Sequence, residues 1–589
     1  MNSITTYDCT LRDGEQGLGI ALSLEDKLRI VERLDAFGID IVEGGYPASN
    51  PRDIEFFKRV AGMRLRHARI AAFGSTCRKG LAASQDAGIA ALLESGAPVV
   101  TLVGKAHAGH VEAVLRTTLE ENLRMVAESV AYCVAAGREV VLDAEHFFDG
   151  YAANSDYALA VVCVAAEAGA SCVCLCETNG GALPDQVAQA TAAAHRALGL
   201  GPAPGVAGAF GQEGEVRSAR ASSEPSGDVL RTDELPVQAA GSAPSGASRQ
   251  VALGIHCHND SGCAVANSLA AVQAGATHVQ GTINGYGERA GNADLLSVIA
   301  NVELKLGLSC SPDLSQLTST ANYVAECCNA SLPANTPYTG SAVFAHKGGL
   351  HASALSRMEG AYEHVDPAAV GNQSNVVVSE LAGKASLVQK AAQLGIDLPA
   401  DEALVQRILD DVKAREADGY TYEVADGSLY LLMLRHLGKL ESHFTLESFR
   451  VIVDDREDMG SWAKDAASEA TIKIRVGSVR TVATGEGAGP VGALDNALRM
   501  AIEESYPQVA NMELTDFKVR LLDENVGTDA ITRVLITTSD GESTWGTVGV
   551  SENIIEASWN ALVDSIEYGL HRMEWPSGSG AMTKRGRRE

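Results

Sequence analysis

The sequence lacks an excess of basic residues and a long apolar run. It contains 47 Lys and Arg against 75 Asp and Glu, a formal net charge of −28, which argues against binding to a nucleic acid backbone. No apolar run reaches the length that spans a bilayer, so we expect no membrane partner. The first apolar run begins at about Ile4, which predicts that no signal peptide is present.

The sequence also lacks paired cysteines. Its 12 cysteines are scattered without the spacing of a disulfide framework, which indicates reduced thiols and a cytoplasmic protein. In the run SCVCLC, Cys172, Cys174 and Cys176 alternate and would face the same side of a strand. A set of cluster ligands is one interpretation, but we favour small apolar core residues because unpaired cysteines are often buried.

Eight short apolar runs of β-forming residues recur through the first 310 residues, with helical patterns between them. Six of the seven intervals between their starts fit one strand and one crossover helix, as a parallel sheet requires. Eight such units predict an α/β fold, a (β/α)₈ TIM barrel that forms a catalytic domain over residues 1–310. The runs span residues 4–10, 40–46, 68–75, 98–104, 139–145, 171–177, 251–258 and 278–284.

The other segments differ from the barrel pattern in composition. Residues 201–250 are rich in Pro, Gly, Ser, Ala and Glu, which predicts a disordered surface insertion. Residues 311–440 have helical patterns and are interpreted as linker subdomains. Residues 441–573 repeat the pattern of three strands and a helix, which predicts an α+β domain of two βββα units. Residues 574–589 are expected to form a flexible tail.

Polar side chains follow the predicted strands, at the end where barrel enzymes place their catalytic groups. His256 and His258 lie two residues apart on the seventh run, so their imidazoles project from the same face. A single strand histidine is usually a core residue, but two imidazoles matched by Asp13 after the first run are typical metal ligands. The sequence therefore predicts a divalent metal site. The absence of a thiolate favours Mn²⁺ or Mg²⁺, and Zn²⁺ is compatible with the ligand types.

Long motifs stand in order along the chain: TLRDGEQ, EGGYPASNPRDIEFF, DAEHFFDGY, HCHNDSGCAVANSLAAVQAGA, NGYGERAGN, FAHKGGLHASAL and GTVGVSENIIEASWNALVDSIEY. They resemble the signatures of the isopropylmalate, homocitrate and citramalate synthases, metal-dependent TIM-barrel enzymes that condense an acyl-CoA with a 2-oxo acid. The resemblance covers nearly the whole chain apart from residues 201–250 and the extreme C-terminus. The set is most similar to the citramalate synthase branch that carries a C-terminal regulatory domain.

The resemblance implies how the metal and the co-substrate are held. It identifies Asp13, His256 and His258 as metal ligands and adds Asn292 as a fourth. It implies acetyl-CoA as co-substrate, with the linker subdomains contributing to the active site.

Catalytic and substrate-binding residues follow from the same resemblance. Arg12 matches an arginine that stabilises the oxyanion of an enolate, although from the residues alone it could pair with Glu43 or Glu145. Glu145 matches a catalytic carboxylate, and His351 matches a histidine that acts in acid–base steps and reaches the barrel of a neighbouring subunit. Thr178 matches a hydroxyl that contacts the substrate carboxylate, and we expect Glu43 beside Arg12 at the substrate.

Two positions depart from the family pattern. Glu177 stands where the sixth strand usually ends in Asp, and its extra methylene is expected to displace Thr178 slightly. Cys9 replaces the commoner Thr, which we interpret as a packing change. A tyrosine that assists the histidine in isopropylmalate synthases has no clear match around residues 372–374, so none is assigned.

Each half of the C-terminal repeat places a Gly-rich turn before a helix, in GEGAGPVGALDNALRMAI (485–502) and GTVGVSENIIEASWNALV (546–563). Such glycines either only permit a tight connection or leave free amides that bind a carboxylate at the helix N-terminus. The resemblance favours the second interpretation, because this domain dimerises and binds the end-product amino acid in related synthases. It implies a homodimer with isoleucine as effector.

The resemblance implies that the chain makes (R)-citramalate from acetyl-CoA, pyruvate and water in isoleucine biosynthesis. An isopropylmalate or homocitrate synthase with a different 2-oxo acid is the first alternative. A lyase that runs the reverse cleavage is disfavoured by the C-terminal repeat. A non-catalytic, metal-stabilised amino-acid sensor is disfavoured because Arg12, Glu145 and His351 accompany the metal set.

Overall fold

The computed structural model describes residues 3–201, 251–346, 351, 354, 357–358, 360–376, 383–453, 468–522 and 530–574. The chain divides into two compact units, Met1–Val343 with Val365–Gln373, and Phe344–His364 with Ser374–Glu589. Except for residues 201 and 574, the predicted insertion (201–250) and the predicted tail (574–589) lie outside the described residues.

The strands of the first unit are β1 (Thr5–Asp8), β2 (Ile41–Gly45), β3 (Arg69–Ser75), β4 (Val99–Lys105), β5 (Glu139–Glu145), β6 (Cys172–Glu177), β7 (Ala252–Cys257) and β8 (His278–Gly281). They hydrogen-bond in chain order, and β1 pairs in parallel with both β2 and β8. This pairing closes the sheet into a barrel. The predicted (β/α)₈ barrel is confirmed, because each predicted run coincides with one of its strands to within a few residues.

Helices follow the strands, as a parallel barrel requires. The helices of seven or more residues in the first unit are α1 (Leu24–Phe37), α2 (Pro51–Val60), α3 (Ala87–Glu94), α4 (Leu119–Ala135), α5 (Phe147–Ala153), α6 (Ser155–Glu167), α7 (Pro184–Ala197), α8 (Ala264–Gln273), α9 (Leu295–Leu304) and α10 (Leu317–Cys327). α1 begins with a capping box in which Ser23 and Asp26 bond reciprocally. It ends before Gly38, whose φ of 103° favours glycine.

The barrel interior contains a buried cluster to which β6 contributes two cysteines, Cys172 and Cys174. Cys176 is buried as well, and all three thiols are free, which confirms the prediction of small buried residues. The sulfurs of Cys174 and Cys176 lie within 4.8 Å of a carboxylate oxygen of Asp143. Burial raises the pKa of the Cys174 thiol well above its ordinary value. A protonated thiol is a poor metal ligand, which argues against a thiolate site here.

The second unit begins with a pair of two-residue strands and a helical region. β9 (Ala345–His346) pairs in parallel with β10 (Asn375–Val376). The helices α11 (Lys384–Gln393), α12 (Glu402–Ala417) and α13 (Asp426–His436) follow and share a core that includes Leu387, Ile408 and Leu432. The predicted helical character of this region is confirmed.

Two βββα units complete the second unit. Their elements are β11 (Thr445–Val453), β12 (Ser468–Val476), β13 (Val479–Gly487), α14 (Pro490–Ile502), β14 (Glu513–Leu521), β15 (Thr532–Ser539), β16 (Thr544–Ser551) and α15 (Ile554–Glu574). Each set of three strands forms an antiparallel sheet. The predicted repeat is confirmed. None of the described helices, α15 included, is long and apolar enough to cross a membrane.

Glycines of the two Gly-rich motifs lie on strands, directly against helix backbone. A Cβ on Gly485 would lie 2.4 Å from the nitrogen of Ala497 in α14, and one on Gly549 would lie 1.9 Å from the oxygen of Ala557 in α15. Both glycines therefore let a helix approach the sheet more closely than any side chain would allow. Packing accounts for these two glycines without a bound anion.

Candidate metal centre and active site

The predicted metal ligands converge at the carboxyl ends of β1, β7 and β8. Asp13 lies in a turn after β1 that is held by a bond from its amide to the oxygen of Cys9, at 2.9 Å. His256 lies on β7, and His258 follows the strand. Asn292 lies in the loop after β8, where it forms an isolated bridge with His258. Barrel closure therefore brings together residues that are 279 positions apart, from 13 to 292.

Asp13, His256 and His258 form a buried group of metal-ligand types. Asp13 Oδ2 lies 3.3 Å from His256 Nε2 and 3.8 Å from His258 Nε2. One ligand atom from each residue lies within 4.8 Å of the other two. A carboxylate and two imidazoles at this separation fit a single divalent cation.

Asn292, which bridges to His258, offers a buried amide oxygen as a further ligand type. The Asn292 amide donates to the oxygen of Tyr286 at 3.1 Å, which turns its own oxygen Oδ1 away. Asn292 Oδ1 is one of several buried polar atoms in the described residues that lack a hydrogen-bond partner. Buried polar atoms are normally satisfied, so a bound ligand is a physical explanation for the amide oxygen.

Gln280, which is not among the predicted site residues, orients the His256 ring. Its amide nitrogen donates to Asp143 Oδ1 at 2.9 Å, so its oxygen faces His256 Nδ1, also at 2.9 Å. His256 Nδ1 therefore donates, which leaves Nε2 as the metal-facing atom. Burial raises the pKa of Asp143 to about 7. The signal available in the sequence was a glutamine inside the eighth predicted run.

Arg12 lies over an aromatic ring and against two carboxylates. The carbon of its guanidinium lies 3.8 Å from the centroid of Phe73, and its Nη1 lies 3.5 Å from Asp13 Oδ1. Its Nε donates to Glu43, which in turn accepts from Tyr7 at 2.5 Å. Glu43 is fully buried and does not line the cavity. It therefore holds the arginine from the barrel interior.

The two remaining barrel residues predicted at the site also have partners. Glu145 pairs with Lys105, a cation that is not among the predicted site residues. Thr178 Oγ1 accepts from the amide of His146 at 2.9 Å. Glu177 accepts from the amides of Gly181 and Ala182, at 3.1 and 3.2 Å. Its longer side chain thus holds the turn that follows Thr178.

One cavity of about 300 Å³ collects most of the predicted residues. It is lined by Arg12, Asp13, Gln16, Phe73, Val103, Asp143, Glu145, Cys176, Thr178, His256, His258, Glu288 and Arg289. A larger cavity of about 1130 Å³ shares Phe73, Val103 and Glu145 with it. The shared residues make the two cavities neighbours at the carboxyl ends of β3, β4 and β5.

His351 is the one predicted catalytic residue that lies in the second unit. Its ring stacks on Tyr362 with a centroid separation of 4.1 Å, and the side chain is exposed. The predicted set of site residues is thus divided between the barrel and the second unit.

Three family models match successive parts of the chain. A model described as HMGL-like matches residues 3–200 and 243–324. A model described as homocitrate synthase post-HMGL domain-like matches residues 338–419. A model described as LeuA allosteric (dimerisation) domain matches residues 423–570.

Similar proteins align with the chain over almost its whole length. A protein of Streptomyces coelicolor named (R)-citramalate synthase is 48% identical over 575 residues, which cover 97% of this chain and 97% of that protein. Proteins of the same name from Aquifex aeolicus and Synechocystis sp. are each 44% identical over 570 residues. Those alignments cover 96% of this chain, 98% of the Aquifex protein and 96% of the Synechocystis protein.

Proposed function

This chain belongs to the family of the (R)-citramalate synthases, and on that basis we propose that its barrel condenses acetyl-CoA with pyruvate and water to give (R)-citramalate and CoA. The observation that carries the proposal is the convergence of one guanidinium, Arg12, with the buried group Asp13, His256 and His258 at a single cavity. A cation site next to a fixed positive charge suits a reaction in which negative charge develops on oxygen.

Asp13, His256, His258 and Asn292 are the residues that would hold a divalent cation, and we favour Mn²⁺ or Mg²⁺ because no thiolate takes part. Such a cation, when bound, supplies Lewis acidity that polarises the ketone carbonyl of a 2-oxo acid. The protein contributes orientation. Gln280 keeps the His256 ring in the tautomer that presents Nε2.

Arg12 supplies positive charge for the enolate oxygen of the acetyl group. The methyl group of a thioester is a very weak acid, so its deprotonation requires a nearby base and stabilisation of the resulting oxyanion. Arg12 is held by Glu43 and lies on Phe73, so its charge is positioned before the substrate binds. Little reorganisation is then required during the reaction.

Glu145, His351 and Thr178 are our candidates for proton transfer and carboxylate binding. Glu145 lines both neighbouring cavities, a suitable position for a base between two substrates. His351 would be contributed by the second unit of a neighbouring subunit, since its exposed ring can meet a partner surface. Thr178 lines the smaller cavity and its hydroxyl can donate to the pyruvate carboxylate.

The larger cavity is our candidate for the acyl-CoA arm. Its lining includes Arg78, Lys79 and Lys105, three cations in a chain whose net charge is −28. Local positive charge of this kind favours the phosphates of a nucleotide against an unfavourable overall field. Glu145 lines this cavity too, which supports its role at the acetyl group.

A CoA-release assay tests the proposed reaction and its substrate. Purified protein is stripped with a chelator and supplied with acetyl-CoA and either pyruvate, 2-oxoisovalerate or 2-oxoglutarate, with and without Mn²⁺. We expect metal-dependent release that is fastest with pyruvate. Asp13→Asn should abolish it, and Asp26→Asn, which alters only the capping box of α1, should not.

Other outcomes of this assay favour the alternatives. Fastest release with 2-oxoisovalerate or 2-oxoglutarate would assign the chain to isopropylmalate or homocitrate synthesis. No release with any 2-oxo acid, together with amino-acid binding, would favour the sensor. We further propose a cytoplasmic location, because an intracellular pool supplies both acetyl-CoA and pyruvate.

We also propose that the second unit forms a homodimer and binds isoleucine. Apolar side chains are exposed on the sheets of both βββα units, including Val479, Val482, Phe517, Val519 and Leu521. The two valines lie on β13 of the first unit of the repeat, and the other three residues lie on β14 of the second. Exposed apolar residues grouped on a strand in this way are typical of an interface. The match to an allosteric, dimerising domain supports a second copy of this chain as the partner.

A further inference from the structure

A second group of metal-ligand types lies in the second unit. His443 lies two residues before β11, and Glu567 and His571 lie on α15. The four-residue spacing of Glu567 and His571 places both side chains on the same face of the helix. The chain therefore brings a distant histidine to a helix face that already carries a carboxylate and an imidazole.

The three side chains are close enough to share one ion. His443 Nδ1 lies 2.7 Å from Glu567 Oε2, and the rings of His443 and His571 have centroids 4.8 Å apart. One ligand atom of each residue lies within 4.8 Å of the other two. Atoms that bind a tetrahedral zinc ion at about 2.0–2.1 Å lie about 3.3 Å from one another. The ligand atoms of Asp13, His256 and His258 in the barrel also lie within 4.8 Å of one another.

We propose that His443, Glu567 and His571 bind a Zn²⁺ ion, separate from the cation of the barrel. Two imidazole nitrogens and one carboxylate oxygen form a donor set that zinc accepts, with water as the fourth ligand. Binding through His443 Nδ1 displaces the proton that this nitrogen shares with Glu567, and the neutral ring then carries its proton on Nε2. Zinc is preferred over Mg²⁺ because two of the three protein donors are imidazole nitrogens.

Burial and backbone contacts prepare the site. His443 is 9% exposed and Glu567 is 5% exposed, whereas His571 is half-buried and leaves a path for the ion. The backbone amide of His443 donates to Glu567 at 3.0 Å, and the Tyr506 hydroxyl donates to the His443 oxygen at 3.2 Å. The ion would tie the segment that enters β11 to α15, so its binding energy would stabilise this part of the second unit.

The competing explanation for this group is an ordinary hydrogen bond between His443 and Glu567, with no metal. Substitution of His571 distinguishes that explanation from a zinc site. The bond needs only His443 and Glu567, whereas a zinc site needs all three ligands. Loss of His571 should therefore leave the bond intact and weaken zinc binding more than about 100-fold, beyond the effect of losing an outer-shell partner. Two substitutions are used, His571→Ala and the polar His571→Asn, so that the test survives if one variant fails to fold.

The experiment counts zinc in full-length protein after chelation, Zn²⁺ reloading and gel filtration. We expect His571→Ala and His571→Asn to contain one zinc ion per chain fewer than the wild type and to lose the rise in Tm on reloading. His436→Ala is the matched control, because His436 also lies on a helix and pairs with a carboxylate, Asp411, at 2.8 Å. It should retain the wild-type zinc content.

Asp13→Asn assigns each ion to its site. If the two sites are separate, Asp13→Asn should contain one zinc ion per chain fewer than the wild type. Adding His571→Ala to that variant should remove a further ion. Equal zinc content in wild type and His571→Ala overturns the proposal. Co²⁺ in place of Zn²⁺ gives an independent spectroscopic readout, because tetrahedral nitrogen–oxygen ligation should produce visible absorption that His571→Ala removes.

Discussion

Arg12 combines charge with a fixed position, and several neighbours produce both. Phe73 lies beneath the guanidinium, and Glu43 accepts from its Nε while Tyr7 donates to Glu43. Burial and the neighbouring Glu43 raise the pKa of Tyr7 well above its ordinary value, so the phenol stays protonated and donates. A guanidinium held in this way presents its remaining donors to the cavity at little entropic cost.

Arg12→Ala should lose most turnover with little change in fold. Removal of one donor to a developing oxyanion costs about 3–4 kcal/mol, or roughly 10²–10³ in kcat. Steady-state CoA release measures the loss, and circular dichroism checks the fold. Arg33→Ala removes a guanidinium that bonds Thr320 at 3.1 Å, outside the cavity, and should keep normal turnover. Near-wild-type kcat in Arg12→Ala would exclude the proposed role.

At the scale of single elements, helices pack against sheets through glycine. Gly549 of β16 faces α15, and Gly485 of β13 faces α14, with backbone atoms where a Cβ would lie. The equivalent contact in the two βββα units explains why both motifs of the repeat carry glycine. Close approach also places the face of α15 that carries Glu567 and His571 near the start of β11.

Gly549→Ala should destabilise the second unit. The new Cβ would lie 1.9 Å from the Ala557 oxygen, so α15 must shift, and overpacking of this kind costs about 1–3 kcal/mol. Thermal unfolding followed by circular dichroism measures the lowered Tm. Gly489→Ala is the control, because nothing lies within 4 Å of its added Cβ. Equal Tm values for the two variants would show that the sheet and α15 accommodate the added Cβ without loss of stability.

At the scale of the whole molecule, the two units offer different chemistry. The barrel concentrates ionisable groups in one cavity, whereas the sheets of the second unit expose apolar side chains. The helical region of the second unit also packs on α15, where Ser428 donates to Asp564 at 2.6 Å. Regulation and dimerisation are therefore proposed for the second unit, and catalysis for the barrel with its linker.

Deletion of residues 440–589 should abolish inhibition by isoleucine while CoA release persists. The deletion removes both βββα units and exposes the face of α13 that carries Ser428, so circular dichroism must show that the helices are retained. CoA release with and without isoleucine is the measurement. Inhibition that persists in the truncated protein would contradict the proposed effector site.

A full-length variant tests the proposed dimer separately from the truncation. Val482 is 52% exposed on β13, and Val482→Asp should weaken a dimer formed through that sheet. Light scattering after gel filtration would then show a lower mass at micromolar concentration. An unchanged dimer mass would mean that the subunits meet elsewhere.

Much of this arrangement could be predicted because it depends on local pattern. Strand and helix periodicity predicted the eight barrel strands and the βββα repeat, which the structure confirms. The two-residue spacing of His256 and His258 predicted that both imidazoles share a face, and they do lie with Asp13. These inferences need only the geometry of one strand and the rule that parallel strands end together.

The supporting contacts could not be predicted, because they join residues far apart in the chain. Gln280 bonds Asp143 across 137 positions, and His443 bonds Glu567 across 124. Lys105 pairs with Glu145 between neighbouring strands, and the burial of Glu43 below Arg12 depends on three side chains meeting inside the barrel.

The sequence by itself determined the strand count, the repeat and the types of residue available at the strand ends, because each follows from spacing along one element. Only the tertiary structure decided which of those residues touch, which carboxylate supports Arg12 and which amide orients His256. The physical reason is that the barrel must close before these residues meet. Each contact exists only after eight strands pair in register, and that register is a property of the whole barrel.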